Sequence, residues 1–148
     1  MVKDIRIPNQ IKKYLDKQKI EYVDVGAERL KVDDDYPDYA SVAAEHVGSK
    51  KDAQGILICG TGAGMAIVAN KFKGIRAALV WSAHTARKAV EDDHANIIAL
   101  PGKVVSDKES LAAVQAFLAA KPSRLARHIR RVNKIKNLEK SVSSRPTQ

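Results

Sequence analysis

The chain has 148 residues, the length of one ordinary domain, and at that size about 68–70% of the unfolded surface can be buried without a disulfide or metal staple. Its 45% hydrophobic and 29% charged residues are typical of a globular protein in water, and no apolar run approaches the roughly 20 residues that span a bilayer. The net charge of +9 is lopsided: nine Lys or Arg lie between Lys121 and Gln148 against Glu139 alone, which leaves +1 for the first 120 residues.

In chain order, "VKDIRI" (2–7) reads as a short, charged first strand, and Pro8 suits the first turn of a helix over 7–18 with Ile7, Ile11, Tyr14 and Leu15 on one side. "IEYVDVG" (20–26) reads as a second strand. A helix over 39–49 places Val42, Ala43 and Val47 inward, and "GILICG" (55–60) is the third strand. "GIRAALVW" (74–81) is the fourth, and a helix over 82–93 begins at a Ser82 cap. "NIIAL" (96–100) is the fifth, and a Ser106–Glu109 capping box opens a helix over 106–121. The strand runs are nearly continuously apolar, which suits strands covered on both faces.

This alternation predicts an α/β fold, a three-layer, doubly wound (Rossmann-like), mostly parallel five-stranded sheet with helices on both faces. A basic helix over 123–140, with Leu125, Ile129, Val132 and Ile135 on one stripe, completes a single domain of residues 1–140. Residues 141–148, "SVSSRPTQ", read as a disordered tail.

The break after the third strand, "CGTGAGM" (59–65), holds the only cysteine, so no internal disulfide can form. The N-terminus also lacks the apolar stretch of a secretory signal, and a reducing cytoplasmic location is the expectation. Ligands of open α/β folds sit beyond the carboxyl ends of the strands, and the glycines let backbone amides approach an anion closely. The run matches neither G-x-G-x-x-G nor the P-loop, which weakens a nucleotide site. Cys59 has two readings: a small buried hydrophobe, or a thiolate favoured by amide dipoles and suited to act as a base. Thr61 either bonds a substrate oxygen or makes a local turn bond.

Residues 55–106, with "DYPDYA" (35–40) upstream and "RHIRRV" (127–132) downstream, resemble the ribose-5-phosphate isomerase type B and galactose-6-phosphate isomerase subunit family. The resemblance covers about residues 10–136. It implies interconversion of aldose and ketose phosphates through a cis-enediolate, without metal or organic cofactor. Cys59 inherits the role of carbon base with Thr61 beside it, and the loop amides of Gly60, Gly62, Ala63 and Gly64 that of anion hole. Arg127 and Arg131, one helical turn apart, inherit the phosphate. Family sites are shared across a dimer interface, so a homodimer or dimer of dimers is expected, with Asn96 and Lys103 among the neighbour's contributions.

Two departures stand out. The N-terminus lacks the family's Asp-His pair and following glycine, and Asp92 and Asp93 stand where the family carries a His-Asn pair whose histidine is credited with opening the furanose ring. A solvated surface position is the expectation for the nearby His94. Three explanations follow: an open-chain or differently sized sugar phosphate, a subunit that works with a paralogous partner, or a binder without turnover. A nucleic-acid role for the basic segment is disfavoured, because only Phe117 lies near it and stacking partners are absent. Trp81 is expected as packing or pocket wall. The four histidines and one cysteine show no metal-ligand spacing.

Overall fold

The computed structural model describes residues 7–26 and 34–143. Three parallel strands, β1 (Gly55–Cys59), β2 (Ala77–Leu79) and β3 (Ile97–Pro101), form a sheet in the order β1-β3-β2. The register sets Gly55 beside Ile97 and Cys59 beside Pro101, while Ala77 and Leu79 stand beside Ile97 and Ala99. Around the sheet lie α1 (Asn9–Lys17), α2 (Tyr36–Ser49), α3 (Ala63–Ala69), α4 (Ala83–Asp93), α5 (Asp107–Ala119) and α6 (Ala126–Ser143).

Alternation along the central strand divides the interior. Ile98 and Leu100 join Ile11, Leu15, Val90 and Phe117 under α1, α4 and α5, whereas Ile97 and Ala99 join Leu57, Met65 and Ala44 under α2 and α3. Every residue of β3 is buried, as expected for a strand covered on both faces. The three-layer, doubly wound expectation holds in this form.

Three expected boundaries change. Residues 1–6, most of the expected first strand, lie outside the described residues. Residues 20–26 make no ladder among the described residues. Val23 is accordingly 62% exposed. The sheet therefore has three strands rather than five among the described residues. Helix α6 runs on through Ser143, past the expected tail boundary at 140.

Both expected caps form. Ser82 Oγ accepts from Thr85 N, and Ser106 Oγ accepts from Glu109 N while Glu109 Oε2 accepts from Ser106 N. These caps fix where α4 and α5 leave the carboxyl ends of β2 and β3, the end of the sheet where the cysteine loop lies.

Candidate active site

β1 ends at Cys59, and the chain turns through Gly60 and Thr61 into α3. Gly62, at the cap position of α3, has φ +74°, a left-handed conformation that favours glycine. A Cβ there would lie 2.6 Å from Leu79 Cδ1 and 3.0 Å from the Leu100 carbonyl carbon. This folding-back carries the Gly62 N–H onto the cysteine sulfur, donating to Sγ at 3.2 Å. The first amides of α3, at Ala63 and Gly64, have no intrahelical acceptor.

The turn after β3 is bonded to the same loop. Gly102 N donates to Cys59 O at 2.8 Å and Lys103 N to Gly60 O at 3.0 Å. The Lys103 stem then lies along Gly60, where an added Cβ would be 3.3 Å from Cδ and 3.7 Å from Nζ. One chain thus assembles a half-buried thiol, a ring of amides and an ammonium group, with exposed Thr61 at the mouth. Lys103 was expected from a neighbouring subunit; its side chain flanks the glycine loop of its own chain, because the β3 turn is hydrogen-bonded there.

Tyr36 joins the site from the α2 side. Its ring lies against Gly64, where a Cβ would be 2.6 Å from Cζ and 2.9 Å from the hydroxyl oxygen. The phenol is 43% exposed and walls the amide loop on the α2 side. Its position at the start of α2, inside "DYPDYA", was the available signal.

The other expected residues are elsewhere. Asn96 precedes β3, at the amino end of the sheet; its Oδ1 accepts from Arg76 N at 2.8 Å and its Nδ2 donates to Gly74 O at 2.9 Å. That amide ties β2 to β3 within its own chain, at the end of the sheet away from its own Cys59. Asp92, on the last turn of α4, pairs with Lys88 at 3.5 Å. His94 caps α4 in the left-handed region at φ 53°, and its Nε2 lies 3.0 Å from Ser123 O. It is half-buried and engaged, which corrects the expected solvated position.

Arg127 and Arg131 are exposed on α6. Ser123 N donates to Glu91 O, His128 faces Asp92, and Glu139 accepts from Gly74 N at 2.7 Å. All these anchors belong to the last turn of α4 or the approach to β2, so α6 lies at the amino ends of the strands, opposite Cys59. At about 3.3 Å per residue, the five residues of β1 alone put more than ~13 Å between the two ends. A single chain does not bring these arginines to its own cysteine. Trp81, at 56% exposed, is not core packing in one chain. Among the described residues, no group of three His, Cys, Asp or Glu is placed to hold a metal ion, and no helix is long and apolar enough to cross a membrane.

The family model described as Ribose/Galactose Isomerase matches residues 3–135. The chain belongs to the ribose/galactose isomerase family. The probable ribose-5-phosphate isomerase B of Mycoplasma pneumoniae is 40% identical over 131 residues, covering 88% of this chain and 86% of that protein. The structure of ribose-5-phosphate isomerase B from Mycoplasma genitalium with bound ribulose-5-phosphate aligns with TM-score 0.83 and 42% identity, over 89% of this chain and 87% of that one. That from Clostridium thermocellum aligns with TM-score 0.84 and 40% identity, over 90% and 89%. Within the ribose/galactose isomerase family, an α/β isomerase fold of this kind accounts for the parallel sheet and the loop at its carboxyl end.

Proposed function

We propose that the chain is an aldose–ketose isomerase for a five-carbon sugar phosphate of the ribose 5-phosphate and ribulose 5-phosphate type. The observation that carries this is the sulfur of Cys59, half-buried and hydrogen-bonded by Gly62 N–H within a loop of amides. Starting from the aldose, the thiolate takes the proton from C2, the electron pair forms the C1–C2 double bond of a cis-enediolate, and the C1 carbonyl pair moves onto O1. The oxygen that gains charge is held by the Gly60–Gly64 amides, with Thr61 and Lys103 beside them. The O2 hydroxyl proton passes to O1, the C2–O bond becomes the carbonyl as the C1–C2 double-bond pair takes the thiol's proton at C1, and the ketose forms with the thiolate regenerated.

The far end of the substrate needs a cation clamp, and within one chain Arg127 and Arg131 lie at the opposite end of the sheet. A homodimer or dimer of dimers resolves this, with α6 of one subunit reaching the cysteine loop of another. In support, Ile135 (43%), Leu138 (64%) and Val142 (61%) on α6, and Leu79 (39%) and Trp81 (56%) beyond β2, are exposed apolar groups of the kind that mark an interface. The functional unit is taken as a single domain that extends through the end of α6 at Ser143, in a reducing cytoplasm that keeps Cys59 a free thiol.

The deciding experiment is Cys59→Ala. Exchange of the substrate's C–H proton with solvent should fall by at least about 10²–10⁴-fold, while inorganic phosphate still binds. Unchanged exchange rejects the assignment. A second reading is favoured by Asp92, whose carboxylate is paired with Lys88 at the position where the family resemblance implies a ring-opening histidine. On that reading open-chain sugar phosphates turn over faster than furanoses. A panel of cyclic and open-chain tetrose, pentose and hexose phosphates decides it, and restoration of turnover only on adding a paralogous subunit would reassign the chain to a heteromer.

A further inference from the structure

The contact between α4 and α6 contains a polar atom that the fold leaves without a hydrogen bond. His128 is 6% exposed, and its Nδ1 is buried with no hydrogen-bond partner. Its Nε2 lies 3.1 Å from Arg127 Nε. A guanidinium has donors only and stays protonated, so Nε2 must be the acceptor there. The ring's one proton is then on Nδ1, which faces Asp92 Oδ1 at 3.7 Å, just beyond hydrogen-bond reach.

We infer that Asp92 and His128 act as positioning residues for Arg127: the carboxylate orients the imidazole, and the imidazole holds the guanidinium through Nε, leaving its outer nitrogens for the substrate's phosphate. This rests on the isomerase reading, in which Arg127 grips that phosphate. A planar fork holds phosphate bidentately only when its plane is fixed, and Arg127 is otherwise a long exposed side chain at the start of a helix. Asp92, the residue that departs from the relatives, thus acquires a role in phosphate binding instead of ring opening.

The charged groups facing the ring are Asp92 on α4, with Lys88 on the same carboxylate, and Arg127 on α6. His94, at the end of α4, is engaged by Ser123 O.

Two variants test this, His128→Leu, which removes the acceptor, and His128→Gln, which keeps an acceptor oxygen that does not titrate. His128→Leu should raise KM for ribose 5-phosphate and the calorimetric Kd for inorganic phosphate about tenfold with kcat within about twofold, the loss of one oriented bond to a charged group. His128→Gln should bind phosphate within about threefold of the parent at neutral pH. Should His128→Leu fail to fold, His128→Phe, which keeps a planar ring without an acceptor, takes its place with the same expectation. A folded variant lacking the acceptor with unchanged KM and Kd overturns the inference, as does a His128→Gln that binds phosphate as weakly as that variant. Phosphate binding is read without turnover, so a protein that binds phosphate through His128 but isomerises nothing overturns the catalytic reading alone.

Discussion

Replacing Gly62 by alanine perturbs the conformation on which the cysteine loop depends. The residue sits at φ +74°, where an L side chain costs about 1–2 kcal/mol. The new Cβ would meet Leu79 Cδ1 at 2.6 Å, which a rotamer change can relieve, and the Leu100 carbonyl carbon and oxygen at 3.0 and 3.2 Å, which move only if the central strand moves. Overpacking of that kind adds about 1–3 kcal/mol, so the total is about 2–5 kcal/mol of a stability typically 5–15. Gly74 supplies the control, because at φ +79° it has nothing within 4 Å of an added Cβ. Gly74→Ala should therefore show only the backbone part, about 1–2 kcal/mol. Urea denaturation at one fixed protein concentration measures both. Gly62→Ala should also lower kcat on the order of 10²-fold, since relief of the clash shifts the N–H that bonds Cys59 Sγ. Equal stability losses for the two variants would refute the packing argument, and full turnover by Gly62→Ala would refute the link between the loop's shape and the base.

Two further outcomes are expected. Asn96→Ala removes both hydrogen bonds that join Arg76 and Gly74 to the start of β3, and should destabilise by about 1–3 kcal/mol with KM unchanged, read by denaturation and steady-state kinetics; a raised KM with unaltered stability would return Asn96 to the substrate site. Ser106→Ala removes the cap of α5 at a cost of about 1 kcal/mol near neutral pH. Glu109 is held below the usual carboxylate range by hydrogen bonds from the Ser106 hydroxyl and then its backbone N–H, so its contribution is present above the unfolded carboxylate's pKa and is lost as pH falls through the lower folded value. The stability difference between parent and Ser106→Ala should therefore shrink on going from neutral pH into that acid range, as thermal melting across pH will show.

Much of this protein was legible locally. Strand-length apolar runs, the Ser82 and Ser106 caps and the glycine break after Cys59 are set by side chains within a few residues of one another, so their periodicity and spacing carried the parallel α/β layers and the cysteine loop. The resemblance of residues 55–106 to a sugar-phosphate isomerase family supplied the chemistry that spacing alone left open for Cys59. What depended on distant contacts was not legible. Segment 20–26 has a strand's composition, yet a strand exists only where a neighbour accepts its hydrogen bonds, and the segment has no such ladder among the described residues. Asn96 and Lys103 are seven residues apart, but β3 carries them to opposite ends of the sheet, one to tie strands and the other to flank the thiol. Only the tertiary structure set α6 beneath the amino ends, paired His128 with Asp92 and separated both arginines from the sulfur of their own chain. Local sequence determines which groups can do chemistry, and the path of the backbone between them decides which of those groups meet.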